Sequence, residues 1–380
     1  MSARRWMRAA LKEASKAWGH THPNPAVGAV VVHRGAVVAS GHTAPVGGPH
    51  AEVQAIAAWR EAGAPLDETT TLVVTLEPCS THGRTPPCTE AIVKSGIRRV
   101  VMGAMDPNPA HAGRAVPLLE AAGVEVETGV IARECADLNL IFNHWIARGH
   151  PFVAAKMATT LDGRVAAAGG RSQWITGAAA REDVARWRSY FPAIAAGAGT
   201  LWADNPRLTV RLPDAAERCA RRFIFDGGFS LRSGSPKDWH VFADAFAGQT
   251  TLVVDRAQAE AARAWLKGTP VAVWALEAEG AGPAGRVRSF MDQFQADGLT
   301  GLYLEGGPGL WSAFLAAGKI DYLFAYRAPV LMADAAAPGP FFGQSPDSPG
   351  EALRLSETRV RSFRGGDQLV RGFLVGPRES

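Results

Sequence analysis

Apolar residues recur in two rhythms along this 380-residue chain, and the rhythms alternate. Runs rich in Val, Leu and Ala at 27–32, 70–76, 98–104 and 124–127 have the length of buried strands. Between them, segments 4–17, 51–62, 88–95, 117–122 and 132–147 read as helices. A further strand at 36–40 turns back on the first across Arg34-Gly35, a hairpin signal. Strands alternating with helices predict a three-layer α/β/α sandwich over residues 1–148.

The pattern restarts after Gly149-His150-Pro151. Strands are expected at 152–157, 193–196, 222–225, 250–254, 270–274, 301–304 and 322–331. Helices are expected at 178–190 and 310–317. A closing hairpin of 358–363 with 368–375 turns at Gly365-Gly366. Pro- and Gly-rich stretches at 204–213 and 227–238 read as loops. The alternation is that of a second α/β domain, 151–380. The length also favours two cores over one.

Composition narrows the function. The chain is 47% hydrophobic and 20% charged, as soluble globular proteins are. Its longest apolar runs are strand-sized, so no membrane partner is expected. Polar residues interrupt the stretch after Arg4, Arg5 and Arg8, which argues against a signal peptide and for a cytoplasmic protein. The net charge of +4 is too small to suggest nucleic acid and suits a phosphorylated small substrate. Four cysteines, Cys79, Cys88, Cys135 and Cys219, are too few for a disulfide framework. Cys135, beside Leu138 and Leu140, reads as a buried apolar residue. Cys219 has no assignable partner.

Candidate chemistry begins at His50-Ala51-Glu52 and at Pro78 to Cys88. One His and two Cys can hold Zn²⁺ while leaving its fourth position to water, which marks catalytic rather than structural sites. Zinc deaminases of nucleobases use such a set with a Glu that is not a ligand. His50, Cys79 and Cys88 are therefore the metal candidates, and Glu52 is the candidate catalytic proton carrier. Both helices that start here, at 51 and at 88, point their amide-rich ends at the metal, which favours thiolate. The competing readings are a structural zinc site, or His50 and Cys79 as ordinary polar and core residues. The two cysteines stand further apart than in a C-x-x-C pair, so the residues between them form a loop over the site.

That loop carries a resemblance. Leu76 to Cys88 reads close to L-E-P-C-S-H-x-G-R-T-P-P-C, and Thr21–Gly28 and Gly47–Glu52 match T-H-P-N-P-x-V-G and G-x-P-H-A-E. These segments resemble the deaminase half of the bifunctional riboflavin-biosynthesis deaminase–reductase family, and imply a cytidine-deaminase-like fold. Thr81 stands where the family has His, with His82 one place along. The resemblance implies that Asn24 touches the pyrimidine; a turn-forming Asn before Pro is the alternative. Arg84 is a phosphate candidate against a solvated loop Arg. Asp106-Pro107-Asn108-Pro109 also fits the family, as a turn.

The second domain holds Lys156 before Leu161-Asp162-Gly163, then Ser172-Gln173-Trp174-Ile175-Thr176, Gly197 to Thr200, Asp204-Asn205-Pro206 with Leu208 to Arg211, and Glu305 to Gly309. Glycines between a strand and a helix let a phosphate approach helix-start amides; a tight turn with no ligand is the alternative. In this order the clusters resemble the reductase half of the same family, whose fold is similar to dihydrofolate reductase. The resemblance implies NADPH at Ala158, Trp174, Thr200, Asp204, Gly307, Pro308 and Gly309. It implies substrate at Ser172, Arg188, Leu208, Arg211 and Glu305, with Arg188 and Arg211 on the ribose phosphate. Gly227 stands where many members carry Ser. Lys156 or Glu305 is a candidate for reductase proton transfer.

The reading is hydrolytic deamination of a diaminopyrimidinone ribosyl phosphate, followed by NADPH-dependent reduction of the ribosyl to a ribityl group, with a homodimer implied by the resemblance. The alternatives are a tRNA-adenosine-type nucleic-acid deaminase with an appended binding domain, and a zinc-stabilised regulatory protein that binds a nucleotide without turnover.

Overall fold

A computed structural model describes residues 2–82, 86–213, 215–277, 282–343 and 346–376. The chain divides into two compact units, Met1–His150 and Pro151–Ser380.

The first unit runs α1 (Ala3–Ala14), β1 (Gly28–His33), β2 (Ala36–His42), α2 (Ala51–Glu61), β3 (Thr71–Leu76), α3 (Cys88–Ser95), β4 (Arg99–Ala104), α4 (Ala115–Ala121), β5 (Glu125–Glu127), α5 (Ala132–Asp137) and α6 (Leu140–Arg148). Its sheet has the order β2-β1-β3-β4-β5. β1 is antiparallel to both β2 and β3, and β3, β4 and β5 are parallel. β1 and β3 are buried along their full length, as strands covered on both faces must be. The β1–β2 hairpin turns with Arg34 and Gly35 both at positive φ, which matches the right-handed twist of the strands. α1 lies tightly on β1: a Cβ at Gly28 would stand 2.1 Å from the Ala10 carbonyl oxygen, so only glycine fits there.

The single helix expected over 132–147 is two. Asn139 interrupts it, because its side chain takes the backbone of Ala26 from both sides: Oδ1 accepts the Ala26 N–H at 2.8 Å and Nδ2 donates to the Ala26 carbonyl at 3.0 Å. A side chain committed to another segment's backbone competes with helix continuation.

The second unit runs β6 (Phe152–Thr159), α7 (Ala178–Tyr190), β7 (Ala193–Gly197), α8 (Ala198–Asp204), β8 (Arg221–Phe225), α9 (His240–Ala243), β9 (Thr250–Asp255), α10 (Ala259–Trp265), β10 (Ala272–Leu276), α11 (Gly282–Ala296), β11 (Gly301–Leu304), α12 (Pro308–Ala316), β12 (Tyr322–Arg327), β13 (Arg354–Ser362) and β14 (Gln368–Val375). The sheet order is β10-β9-β8-β7-β11-β6-β12-β14-β13. All pairings are parallel from β10 to β12; the closing β13–β14 hairpin is antiparallel. Alternate residues feed two separate cores. Ala193, Ala195, Phe223 and Val253 belong to one, and Ile194, Ala196, Ile224, Leu252 and Val254 to the other. That period of two is the strand pleat, with both faces covered.

Strand 322–331 is shorter than expected, ending at Arg327 before Pro329. α11 escaped the sequence reading, although Val287, Phe290, Met291 and Phe294 recur at helical spacing and are all buried.

The connections after β7 and β11 leave in opposite directions, one toward β8 and the other past β6 to β12. A crevice opens outside the carboxyl ends of parallel strands where neighbouring connections diverge in this way.

Candidate active sites

In the first unit, local chain geometry converges three soft ligands. His50 is the N-cap residue of α2, Cys79 follows β3 by three residues, and Cys88 opens α3. Their ligand atoms lie within 4.8 Å of one another. His50 Nδ1 stands 3.2 Å from Cys88 Sγ and 3.6 Å from Cys79 Sγ. Tetrahedral Zn²⁺ with Zn–S near 2.3 Å and Zn–N near 2.0–2.1 Å separates N and S by about 3.6 Å. The donor set and its spacing therefore fit zinc. The Cys88 N–H also donates to Cys79 Sγ at 3.3 Å. The Cys88 thiol hydrogen-bonds Cys79 and, with His50, pushes the Cys79 thiol down to about 4 against the effect of its burial. The same bond and its own burial raise Cys88. Glu52, in the first turn of α2, is 3% exposed, and burial raises its carboxyl above the ordinary range.

Glu77, inside the L-E-P-C segment, received no role from the sequence. Its buried carboxylate accepts three backbone N–H groups: Asp106 at 3.2 Å, Gly113 at 2.9 Å and Ala115 at 3.0 Å. It clamps loop 106–115 beside the residue that leads into Pro78-Cys79. Gly28 N–H donates to Thr75 Oγ1, tying the segment after Asn24 to the same strand end. Asn24 itself sits in an exposed turn, its N–H on the Thr21 carbonyl at 2.8 Å, and is not part of the metal set. Thr81 Oγ1 lies 3.3 Å from His111 Nδ1, whereas the exposed His82 pairs with Glu90 at 2.9 Å. Arg84 lies outside the described residues.

In the second unit, every residue singled out for cofactor or substrate lines one cavity of about 1450 Å³. β6 contributes Lys156 and Ala158, the following loop Ser172 and Trp174, and α7 Arg188. α8 and the segment after it contribute Thr200, Asp204, Leu208 and Arg211; the turn after β11 contributes Glu305, Gly307, Pro308 and Gly309.

The floor is ionic. Arg188 Nε and Nη2 donate to the two Glu305 oxygens at 2.7 and 2.8 Å, and Nη1 donates to the Thr209 carbonyl at 2.6 Å. Burial alone would raise the Glu305 carboxyl, but Arg188 and then Lys156 outweigh it and hold it below its usual range. Burial lowers the Lys156 ammonium, with Glu305 and Asp204 opposing. Ser172 Oγ lies 2.8 Å from both Asp204 oxygens. At the mouth, Trp174 is 70% exposed, with the Arg181 guanidinium 4.7 Å above its ring. α12 begins at Pro308, which carries no N–H, and the Leu310 and Trp311 N–H groups both go to the Gly307 carbonyl, so the first-turn amide left for a ligand is that of Gly309, which lines the cavity. A helix start with glycines before and after it fits a dinucleotide diphosphate.

Distant residues frame this floor. The carboxylate of Asp367, 3% exposed in the β13–β14 turn, accepts the Gly177 N–H at 2.7 Å where α7 begins. Asp183 on α7 takes the Tyr326 hydroxyl at 2.8 Å and Arg361 at 2.6 Å. Asp162 of the L-D-G segment binds the N–H groups of Met332 and Ala333. None of these partners is near in sequence, and no local motif signals them.

Comparison with known proteins agrees with this geometry. Residues 1–104 match the cytidine and deoxycytidylate deaminase zinc-binding region, and residues 151–369 match the RibD C-terminal domain. The riboflavin biosynthesis protein RibD of Bacillus amyloliquefaciens is 37% identical over 93% of this chain and 92% of its own length. That of Escherichia coli K12 is 38% identical over 86% of this chain and 88% of its own. A Thermotoga maritima crystal structure of a diaminohydroxyphosphoribosylaminopyrimidine deaminase/5-amino-6-(5-phosphoribosylamino)uracil reductase is 32% identical. It covers 98% of this chain and 99% of its own, with a TM-score of 0.76. Acinetobacter baumannii RibD superposes with a TM-score of 0.72 at 31% identity over 99% of both chains. A zinc-binding deaminase unit and a reductase unit, joined in one chain and matched over nearly its whole length, place this protein in the RibD family of bifunctional riboflavin-biosynthesis enzymes.

Proposed function

We propose that the two units act in sequence on one phosphorylated pyrimidine, first deaminating 2,5-diamino-6-(5-phosphoribosylamino)pyrimidin-4-one and then reducing the ribosyl group of the product. The observation that carries this reading is the pairing of a His50/Cys79/Cys88 set with a buried carboxylate, Glu52, that is not part of it.

Zinc, when bound, supplies a nucleophile at neutral pH by lowering the pKa of coordinated water from 15.7 to about 7. Glu52 removes the water's proton, returns it to the ring nitrogen and assists departure of ammonia. It stands in the first turn of α2, and its carboxylate hydrogen-bonds the Cys88 thiol, which puts it at the same centre. Burial raises its carboxyl above the ordinary range, the direction that suits a proton carrier.

NADPH, when bound, supplies the hydride for the second step. Glu305, fixed by Arg188, and the half-buried Lys156 flank the sugar carbon that receives it. The ring opening of the ribosyl group needs a proton at its oxygen, and Lys156, whose ammonium is made more acidic by burial, donates it. Arg188 spends three of its five N–H groups on Glu305 and Thr209, so the exposed Arg211 takes the larger share of the substrate phosphate. Asn24 on the pyrimidine of the first step, and Ser172 and Leu208 on the substrate of the second, complete the assignment. Ala158, Trp174, Thr200, Asp204 and Gly307 to Gly309 hold the cofactor.

The substrate is a small molecule rather than nucleic acid, in keeping with a cavity of cofactor-plus-substrate size. No helix among the described residues is long and apolar enough to cross a membrane, and the cytoplasm is the compartment that suits free thiols at Cys79 and Cys88. A homodimer is part of this reading; β13 is an edge strand whose Val360 is 69% exposed. Glu52→Gln tests the deaminase assignment: ammonia release should stop while NADPH oxidation on deaminated substrate continues. Loss of both would sink the idea of two independent sites.

A further inference from the structure

The cavity of the second unit reaches beyond the residues that the reaction needs. Its far end is formed by Gly227, just past the end of β8, and by Arg286 on α11. Asp255, the last residue of the neighbouring parallel strand β9, pairs with Arg286 there by charge: Nε of Arg286 lies 2.7 Å from Asp255 Oδ1, an ion pair whose two atoms are not aligned as a hydrogen bond. The Asp255 N–H in turn donates to the Gly227 carbonyl. A Cβ at Gly227 would stand 3.1 Å from Asp255 Oδ1 and 3.5 Å from Arg286 Cζ. The guanidinium thus occupies room that any side chain at 227 would contest.

The place of this pair along the sheet gives it meaning. Hydride must arrive beside Lys156 on β6 and Glu305 after β11, and the diphosphate belongs at the start of α12. β8 lies three strands from β6, about 14 Å at the usual 4.7–4.9 Å spacing. A dinucleotide with its nicotinamide at β6 and its diphosphate at α12 lays its adenosine over the ends of β8 and β9. In Rossmann-type folds a strand-end carboxylate selects the bare ribose hydroxyls, and a nearby arginine accommodates a 2′-phosphate, chemistry that does not depend on the fold. Here the carboxylate is occupied and neutralised by the arginine. The second face of the guanidinium is left to offer the paired N–H groups that phosphate takes.

We propose that Arg286, tethered by Asp255 over Gly227, reads the 2′-phosphate of the adenosine ribose and so sets the preference for NADPH over NADH. The proposal deepens the reductase reading and rests on it, since it assumes that this cavity holds the dinucleotide.

The test is equilibrium binding of NADP⁺ and NAD⁺ to the full chain, followed by calorimetry, for the parent, Arg286→Ala and Arg286→Lys. Removing a charge-assisted contact should weaken NADP⁺ about 10–100-fold and leave NAD⁺ nearly unchanged. The Lys variant should fall between, because it keeps the charge and loses the fork. Adenosine 2′-monophosphate, a probe of the phosphate alone, should lose affinity in parallel. Equal weakening of both cofactors, or no change in either, overturns the proposal. Failure of the parent chain to bind either dinucleotide instead removes the cofactor reading, and the proposal goes with it.

Discussion

Arg188 and Glu305 meet through two parallel hydrogen bonds of 2.7 and 2.8 Å on the floor of the reducing cavity, with side chains only 15% and 9% exposed. A buried pair of this kind costs desolvation on both sides, so its value appears when one partner is removed. Arg188→Met leaves Glu305 charged, buried and beside a lysine alone. It should destabilise the second unit by about 3–5 kcal/mol and abolish NADPH oxidation while ammonia release persists. Thermal unfolding with separate assays of the two steps checks this.

The same pair sets a pH dependence. Glu305 is held below its ordinary range in the folded chain, so it binds protons less readily there than when unfolded. The stability that it contributes is complete above the unfolded carboxylate value, about 4.3, and is lost as pH falls through the lower folded value. Unfolding midpoints measured from pH 7 downward should drop in the parent chain. Glu305→Gln should flatten that part of the profile; an unchanged slope would show that other carboxylates dominate it.

Glu77 carries a different kind of load. Replacing it with Ala strands the N–H groups of Asp106, Gly113 and Ala115. Each buried, unpaired donor, those of Asp106 and Ala115, costs about 1–3 kcal/mol, while water takes the N–H of the exposed Gly113 and relaxation recovers part of the sum. Glu77→Ala should therefore lose a few kcal/mol and lower the zinc content of the purified chain, since Pro78-Cys79 hangs from the same segment. Reduction of deaminated substrate should be untouched. Full zinc occupancy in a stable Glu77→Ala chain would count against the clamp.

What the sequence exposed, and what it hid, follows from distance along the chain. His50, Glu52, Cys79 and Cys88 sit at strand ends and helix starts that hydrophobic periodicity locates, so their convergence is readable. The Gly-rich turn at 306–309 is readable for the same reason. Asn139 divides a helix through contacts with Ala26, and Asp183 joins Tyr326 and Arg361 across the sheet. Such partners leave no trace in local spacing. Thr81 and His82 show the limit at close range: adjacent residues in one motif turn to different partners, His111 and Glu90.

Asp367 shows how a remote turn reaches the cavity. Its carboxylate accepts the Gly177 N–H at the start of α7, the helix that carries Arg188. Gly177 follows the 172–176 segment, where Ser172 and Trp174 line the cavity. Loss of an N-terminal capping contact typically costs about 0.5–2 kcal/mol. Asp367→Ala should lower the stability of the second unit by that order and raise the apparent KM for NADPH more than it lowers kcat, because the helix start and the Trp174 segment loosen together. An unchanged KM with reduced stability would make Asp367 a purely structural cap.

Metal removal separates the two units most directly. The three ligands His50, Cys79 and Cys88 all belong to the first unit, and every residue assigned to the reducing cavity belongs to the second. Dialysis against a strong chelator should abolish ammonia release and lower the unfolding temperature of the first unit. Metal binding there adds its free energy to the folded state alone. NADPH oxidation on deaminated substrate should continue at its original rate, and one equivalent of Zn²⁺ per chain should restore deamination. Retained deamination in chelated protein of verified low zinc content would remove the metal from the mechanism and leave Glu52 without the nucleophile that it is proposed to deprotonate.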